Sequence, residues 1–377
     1  MKILIGAGGT GGHIYPGLAL ADMLKEKYPE ADIRFVGTDR GMETTIVPNA
    51  GYPLETIRVK GFERKISMGT VQSIKELLLG MGDARKLLRS FDPDLVIGMG
   101  GYVCGPLLLL AARKNIPTVI HEQNAYPGAT NRLLSRFVDK IGVSFPEATK
   151  WFPQEEKVFL CGNPVRKAFF QGDRKTLREK YGYGADDFIV LSVGGSLGAT
   201  TLNNAVMYWL TNPPDDPSIR LIHITGKQRY DDFYQSMLDK GLDPDKSNWC
   251  KILSYSDVMH EIMALSDVAV SRAGAMSVAE IAASGIPAIF VPYPHATGNH
   301  QEFNAKSITE KGGGALILDA DLKEEPFLLK NQLEEWAKHP EQLIEMKANV
   351  EKVAVEGAEE LFYHAIKPLL ERGQHER

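Results

Sequence analysis

The first thirteen residues, MKILIGAGGTGGH (Met1–His13), decide the fold, because they join a short apolar run directly to a glycine-rich turn. Ile3–Ile5 has the apolar character of a buried strand, and the glycines after it let backbone N–H groups approach a ligand closely. A helix that follows such a turn presents unpaired N–H donors and a partial positive charge, which suit a phosphate. The arrangement returns at Ile189–Ala199, IVLSVGGSLGA. The sequence therefore predicts two similar strand–turn–helix units, each with a glycine turn suited to a phosphate.

Short apolar runs alternate with helix-length amphipathic stretches along the chain, a pattern typical of parallel sheets with crossover helices. The chain has 377 residues, more than a single hydrophobic core usually organises. We therefore predict an α/β protein of two domains, with the linker between them around residues 162–186. The predicted strands are Ile3–Ile5, Ile33–Val36, Leu95–Ile97, Thr118–His121, Ile189–Val193, Leu221–Ile224, Val268–Ser271 and Ala288–Val291.

Composition narrows the classes of function. The net charge of −5 argues against a nucleic-acid binder, whose affinity depends on a basic excess. The three cysteines form no Cys-x-x-Cys pair, which fits a reducing compartment and excludes a cysteine-built zinc site. No secretory signal is predicted at the start of the sequence. Glycines and Pro106 interrupt the uncharged run from Leu95 to Ala112, so we predict a strand, a turn and a helix there.

Two of the glycine turns also fit other enzymes. Gly6–Gly11 satisfies the dinucleotide pattern G-x-G-x-x-G, with Asp39 near the end of the second strand, so an NAD-dependent oxidoreductase is one alternative. Gly194–Gly198 fits the G-x-S-x-G nucleophile elbow of hydrolases, with Asp257 and His260 downstream as conceivable partners. The surroundings of this second turn match no hydrolase context.

Three Asp-x-Asp pairs raise the question of a metal site: Asp92 with Asp94, Asp243 with Asp245, and Asp319 with Asp321. All three lie beside turns and two contain proline, so turn chemistry explains them better. His295 and His300 flank a polar loop, but their spacing fixes no third ligand. We predict no catalytic metal and no other cofactor.

A more specific pattern appears when the motifs are taken in order. They resemble the MurG family of UDP-N-acetylglucosamine transferases over nearly the whole chain. The segments that carry this resemblance are Gly9–Pro16, Met99–Tyr102, His121–Asn124, Gly162–Arg166, Gly194–Ser196, Ala275–Glu280 and Asn299–Gln301.

The resemblance implies the GT-B architecture, two Rossmann-like domains facing across a cleft. Residues 1–163 would form the acceptor- and membrane-facing domain and residues 164–354 the UDP-sugar-binding domain, with a C-terminal helix of about 355–377 packed back on the first. It also implies inverting, metal-independent transfer of N-acetylglucosamine from UDP-N-acetylglucosamine. The acceptor would be the 4-hydroxyl of undecaprenyl-pyrophosphoryl-MurNAc-pentapeptide, in the peptidoglycan step from lipid I to lipid II. A related glycolipid glycosyltransferase and a UDP-sugar epimerase of the same fold are the alternatives.

On the donor side, the resemblance assigns the nucleotide to Arg166, the uracil to the backbone of Ile252, and the pyrophosphate to Ser196. Gln301 would read the sugar hydroxyls. A departing UDP develops negative charge, which helix N-termini and an arginine can stabilise in place of a divalent ion. The remaining implied contacts, to pyrophosphate and ribose, come from Ala275, Met276, Ser277, Val278, Ala279 and Glu280, with Glu280 taking the ribose hydroxyls.

On the acceptor side, the resemblance places a group of first-domain residues around the 4-hydroxyl that must lose a proton. A base with a pKa near neutral suits that step, so His13 is the leading candidate and Glu122 the alternative. Glycine N–H groups near His13 would disfavour its charged form, so binding pyrophosphate is its other conceivable role. The other expected binding residues are Thr10, Gly11, Gly12, Tyr102 and Asn124.

The implied acceptor is a membrane lipid, so the protein is expected to be cytoplasmic and peripheral on the inner leaflet of the cell membrane. Val71–Ser90 combines leucines with lysines and arginines, which favours an anionic leaflet, and Arg132–Phe137 is a second such segment. Ordinary amphipathic helices packed on the sheet would have the same pattern. Other cell-wall synthesis proteins are further expected partners.

Overall fold

The computed structural model describes residues 1–60, 68–195 and 198–375. The chain divides into two compact units: unit 1 comprises Met1–Pro164 and Gly357–Arg377, and unit 2 comprises Val165–Glu356. The chain thus passes between the units twice, and Gly357 at the second passage has a φ of +70°, a conformation that favours glycine.

Unit 1 contains a parallel sheet with the strand order β3-β2-β1-β4-β5-β6-β7 in the part of the chain described. The order reverses between β1 and β4, which pair directly. In open α/β sheets, ligands bind beyond the carboxyl ends of the strands at such a reversal. The strands are β1 (Lys2–Ala7), β2 (Asp32–Gly37), β3 (Leu54–Thr56), β4 (Leu95–Gly100), β5 (Thr118–Glu122), β6 (Lys140–Val143) and β7 (Val158–Leu160).

Helices cover both faces of this sheet, because successive strand side chains point to opposite sides. Ile3 and Ile5 of β1 lie in one core, and Leu4 lies in the other. The helices are α1 (Gly11–Lys27), α2 (Glu43–Asn49), α3 (Met68–Phe91), α4 (Cys104–Arg113) and α5 (Ala129–Leu134). The run Leu95–Ala112 forms β4 and most of α4, which confirms the predicted strand, turn and helix.

Unit 2 contains a second parallel sheet, with the order β10-β9-β8-β11-β12-β13, and its strand order reverses between β8 and β11. The strands are β8 (Phe188–Val193), β9 (Ile219–Ile224), β10 (Cys250–Leu253), β11 (Val268–Ser271), β12 (Ala288–Phe290) and β13 (Gly314–Leu316). The helices are α6 (Arg174–Tyr181), α7 (Thr200–Thr211), α8 (Tyr230–Asp239), α9 (Met259–Leu265), α10 (Ala275–Ala283), α11 (His300–Thr309), α12 (Asp319–Glu324), α13 (Phe327–Lys338) and α14 (Pro340–Glu351).

The last helix, α15 (Ala358–His375), belongs to unit 1 although it follows unit 2 in the chain. Phe362 and Ile366 are fully buried in the same core as β1 and β4. Arg372 pairs with Asp139 at 2.9 Å. Among the described residues, no helix is long and apolar enough to cross a membrane.

Candidate active site

The turns after β1 and β4 meet at the point where the strand order of unit 1 reverses. Gly9, Gly100 and Gly101 all have positive φ, between +86° and +114°. A Cβ on Gly101 would lie 2.6 Å from the carbonyl oxygen of Gly8, and one on Gly100 would lie 2.7 Å from Cδ2 of His13. The site therefore requires glycine both for its backbone conformation and for the space that the imidazole occupies.

His13 is held by the turn that precedes it. Its Nδ1 lies 3.0 Å from the carbonyl oxygen of Gly8 and 3.3 Å from the hydroxyl of Thr10. A carbonyl oxygen can only accept, so Nδ1 must carry the proton. The neutral imidazole then has its lone pair on Nε2, the form in which histidine can remove a proton from a hydroxyl.

Glu122 has a different environment. It is buried at the end of β5, and its carboxylate accepts four hydrogen bonds. Oε1 accepts the N–H and the side-chain amide of Asn124, both at 3.0 Å. Oε2 accepts the N–H of Gly128 at 3.0 Å and the amide of Asn131 at 2.8 Å. These bonds occupy the lone pairs that a base would use, so the geometry favours His13 over Glu122.

The other residues expected on the acceptor side surround the first turn of α1. Thr10 precedes the helix and Gly11 and Gly12 open it, with no acidic side chain in the first turn. Such an N-terminus suits an anion. Tyr102 is exposed beside the Gly100–Gly101 turn, and Tyr15, which the sequence analysis did not identify, is similarly exposed on α1.

In unit 2, the turns after β8 and β11 lie at the second reversal of strand order. Gly195 and Gly198 have φ values of +85° and +73°. Ser196 lies outside the described residues, so its predicted contact with pyrophosphate stays a prediction. Gly274 precedes α10, whose first residues are Ala275, Met276 and Ser277, without an acidic side chain. These helix ends present N–H donors at the carboxyl edge of the sheet.

Glu280 lies one and a half turns into α10 and is partly buried, whereas Val278 faces the core and Ala279 is partly exposed. Desolvation raises the pKa of Glu280 to about 7, against the opposing effect of the Arg166 guanidinium. The Arg166 guanidinium also lies 5.3 Å from the centre of the Phe169 ring. Unit 2 thus contains a carboxyl group whose pKa lies near neutral pH. In its ionised form this group can accept hydrogen bonds from hydroxyl groups.

Gln301 and Ile252 have geometries that bear on their expected roles. The side-chain oxygen of Gln301 accepts the N–H of Tyr293 at 2.9 Å, which leaves its NH₂ group to donate to a sugar. Ile252 lies in the edge strand β10, with its side chain in the core. The carbonyl of Trp249 accepts the N–H of Leu221 in β9, and that of Leu253 accepts the N–H of Thr225 just after β9. The strand's alternation therefore turns the backbone of Ile252 towards the open edge.

Two cations that no sequence motif had indicated, Lys227 and Arg229, follow β9, and Arg229 lies beside Gly198. A Cβ on Gly198 would lie 3.2 Å from Cδ of Arg229, and the Lys227 ammonium lies 4.4 Å from the centre of the Tyr255 ring. Neither cation forms an ion pair with another described residue, whereas Arg272 nearby pairs with Asp319. The sequence feature that could have indicated these two cations is the pair of basic residues in Gly226–Arg229, shortly after β9.

The Asp-x-Asp pairs take part in other interactions. Asp243 pairs with Lys246 at 2.9 Å and accepts the N–H of Asp245, as in a turn. Asp319 pairs with Arg272 and accepts the hydroxyl of Thr201. Within the described ranges, no cluster of three potential metal ligands is found; metal independence stays a prediction.

Comparison with known proteins gives the family. Residues 3–143 match the glycosyltransferase family 28 N-terminal domain and residues 189–362 match its C-terminal domain. The chain is 41% identical over 370 residues to a protein of Acetivibrio thermocellus named UDP-N-acetylglucosamine–N-acetylmuramyl-(pentapeptide) pyrophosphoryl-undecaprenol N-acetylglucosamine transferase, covering 98% of both chains. It is 42% identical to the protein of that name from Ruminiclostridium cellulolyticum, over 98% of this chain and all of the relative.

Solved structures agree with these relatives. The crystal structure of Acinetobacter baumannii MurG matches with a TM-score of 0.80 and 29% identity, over 97% of this chain and 99% of that one. The UDP-GlcNAc 2-epimerase of Neisseria meningitidis matches with a TM-score of 0.65 but 12% identity, which shows the fold alone. The expected fold class, two Rossmann-like domains of the GT-B glycosyltransferases, is confirmed, and the chain belongs to glycosyltransferase family 28 and, within it, to the MurG family.

Proposed function

We propose that this protein transfers N-acetylglucosamine from UDP-N-acetylglucosamine to the 4-hydroxyl of undecaprenyl-pyrophosphoryl-MurNAc-pentapeptide, converting lipid I to lipid II in peptidoglycan synthesis. Observations in each of the two units support the proposal beyond family membership. Unit 1 holds a histidine whose Nδ1 bonds to the carbonyl of Gly8, the tautomer that places a lone pair on Nε2, and unit 2 holds helix N-termini, two cations without a carboxylate partner among the described residues and a carboxyl group, all suited to a nucleoside diphosphate.

The chemical step is a single displacement. Nε2 of His13 takes the proton of the acceptor's 4-hydroxyl as that oxygen attacks the anomeric carbon of the donor. The bond from the anomeric carbon to the diphosphate breaks, and UDP departs with its electron pair. Attack from the face opposite the leaving group inverts the configuration at this carbon. Glu122 acts as a positioning residue, because its four hydrogen bonds hold Asn124 and the start of α5.

Unit 2 stabilises the charge that develops on the departing UDP. The N-termini of α7 and α10 direct N–H donors towards the diphosphate, and Ser196 adds a hydroxyl. Lys227 and Arg229 supply positive charge that no described carboxylate neutralises, a role that other transferases give to a divalent ion. Gln301 selects the sugar through its NH₂ group.

The nucleoside is recognised by Glu280, Arg166 and the open edge of β10. The ribose hydroxyls donate to the Glu280 carboxylate, which favours its ionised form when UDP is bound. The backbone of Ile252 has the orientation that hydrogen bonding to uracil requires, since it faces away from β9.

The lipid acceptor is reached by peripheral attachment to the inner leaflet. Leu78 on α3 and Leu133 and Phe137 around α5 expose 68%, 61% and 45% of their surface. Lys86 and Arg136 are exposed on the same two segments, and both α3 and α5 pack against α4. Apolar side chains among cations suit an anionic membrane surface.

The test is transfer of radiolabel from UDP-N-acetylglucosamine into a polyprenyl-pyrophosphoryl-MurNAc-peptide, with label counted in the lipid phase. We expect label in the lipid only when the acceptor is present. Consumption of the donor without acceptor would indicate an epimerase, and UDP binding without transfer to this lipid would indicate another acceptor. NAD binding in place of UDP binding would overturn the assignment.

A further inference from the structure

A buried carboxylate lies beneath the turn that carries His13. Glu43, the first residue of α2, is fully buried. Its Oε1 accepts the N–H of Thr38 at 2.9 Å and the hydroxyl of Thr38 at 2.8 Å, and its Oε2 accepts the N–H of Gly9 at 3.1 Å. Burial of a carboxylate costs free energy unless the group is hydrogen-bonded. These hydrogen bonds therefore hold the side chain in a defined position.

Three glycines make room for this side chain. A Cβ on Gly37 would lie 2.5 Å from Cγ of Glu43, and one on Gly8 would lie 2.9 Å from Oε1. A Cβ on Gly41 would come closer still to Oε2. The carboxylate therefore fits only because the end of β2, the loop that follows it and the turn after β1 carry no side chain at these points.

Glu43 and His13 bind opposite ends of one peptide group. The N–H of Gly9, which donates to Glu43, and the carbonyl of Gly8, which accepts from Nδ1 of His13, belong to the same Gly8–Gly9 peptide. Hydrogen bonds in such a chain polarise one another: a negative charge at the N–H makes the carbonyl oxygen a better acceptor. The imidazole is thus linked to a buried carboxylate through one peptide unit.

Glu43 is ionised at neutral pH. Burial alone would raise the pKa of its carboxyl group, but the N–H groups of Thr38, Glu43 itself and Gly9, with the Thr38 hydroxyl, outweigh it and hold the pKa below its usual value.

We propose that Glu43 is a positioning residue for His13. Its carboxylate orients and polarises the Gly8–Gly9 peptide, which keeps the proton of His13 on Nδ1 and directs the Nε2 lone pair towards the acceptor hydroxyl. No proton crosses the peptide. This inference rests on the proposed role of His13 as the base.

The test compares Glu43→Gln with Asp139→Asn. Asp139 is a matched control because it also accepts a backbone N–H and a threonine hydroxyl, both from Thr118, but at the opposite end of the sheet. Two readouts are measured: kcat and KM for UDP-N-acetylglucosamine with a polyprenyl-pyrophosphoryl-MurNAc-peptide, and the ¹⁵N shifts of the labelled His13 ring, assigned by comparison with His13→Ala.

We expect Glu43→Gln to lower kcat by about 10- to 100-fold, the size of effect that slight misplacement of a reacting group produces, with KM for the donor changed less than about twofold. The His13 nitrogen shifts should move towards the Nε2–H tautomer. Asp139→Asn should change thermal stability but neither readout. A Glu43→Gln protein with wild-type kcat and an unchanged Nδ1–H tautomer would overturn the inference.

Two further variants keep the test decisive. Should Glu43→Gln fail to fold, Thr38→Val removes one hydrogen bond to Glu43 and keeps its charge. A smaller change in both readouts in the same direction supports the inference, and no change overturns it. Full turnover by His13→Ala would refute the proposed base itself, whereas a defective His13→Ala beside a fully active Glu43→Gln would refute only the role of Glu43.

Discussion

Donor binding should depend on the ionisation of Glu280 near neutral pH. With a pKa of about 7, about 90% of the carboxyl groups are ionised at pH 8 and about 10% at pH 6. Ribose hydroxyls bind the ionised form, so affinity for UDP-N-acetylglucosamine should fall about tenfold between these pH values. The intact donor is the right ligand, because both its phosphates are esterified and lack the second ionisation near pH 6.

Glu280→Gln separates this effect from other pH-dependent changes. Hydrogen bonds to a charged group contribute about 1.5–3 kcal/mol, so the variant should bind the donor about 10- to 150-fold more weakly at pH 8. At pH 6 the difference should narrow about tenfold, to about 1- to 15-fold, because only about 10% of the wild-type carboxyl groups are then ionised. The control is Glu261→Gln: hydrogen bonds from Lys180 and Tyr181 hold the pKa of Glu261 below its usual value, so it does not titrate in this range.

Calorimetric titration at pH 6, 7 and 8 measures these affinities. A wild-type affinity that is flat across the range, or a Glu280→Gln variant that keeps the wild-type slope, would refute the reasoning.

Stability gives a second readout. The folded-state pKa of Glu280 exceeds the unfolded value of about 4.3, so its stabilising contribution is complete below that value and lost as pH rises through about 7. Glu280→Gln should therefore raise the Tm of the nucleotide-free protein more at pH 8 than at pH 5.

Three other variants or conditions test the remaining assignments. His13→Ala should leave donor affinity within about twofold by calorimetry and lower kcat by about 10²–10⁴-fold, as loss of a general base does; full turnover would move the base to Glu122. A chelator should leave activity unchanged in the transfer assay, and loss restored by one divalent ion would show a metal dependence. Leu78→Ser with Leu133→Ser should reduce flotation with anionic vesicles, by about 0.8 kcal/mol for each buried CH₂ removed, without changing turnover of a short-chain acceptor; unchanged flotation would place the membrane surface elsewhere.

Local chemistry explains which parts of the fold were predictable. The glycine turns of both units were predicted because positive φ and close backbone approach impose glycine at particular positions, as at Gly9, Gly101 and Gly198. The long central strands were predicted from apolar runs buried on both faces. The strands β3, β6 and β10 each contain a charged residue and β13 begins with a glycine, so their apolar pattern is weaker than that of the equally short β11 and β12, which were predicted.

The residues of the candidate site likewise divide into those that the sequence predicts and those that only the fold reveals. His13 and Glu280 were predicted from motifs that resemble those of the MurG family. Glu43 could not be found from the sequence, because its role depends on contacts with Gly9 and Gly37 that only the folded sheet brings together. The saturated hydrogen bonding of Glu122 was also invisible, since Asn131 lies on the next helix. Residue type suggests the chemistry, whereas the fold decides which carboxylate is available for it.

The central claim, direct transfer between a UDP-sugar and a lipid-linked sugar, is tested most directly by the structure of the product. The measurement is NMR of the disaccharide formed from UDP-N-acetylglucosamine carrying ¹³C at the anomeric carbon, with a polyprenyl-pyrophosphoryl-MurNAc-peptide as acceptor. We predict a single labelled product, with the sugar joined in the inverted, β configuration to the 4-oxygen of the muramoyl residue. An α linkage, an epimerised donor or free labelled sugar alone would contradict a base-assisted single displacement.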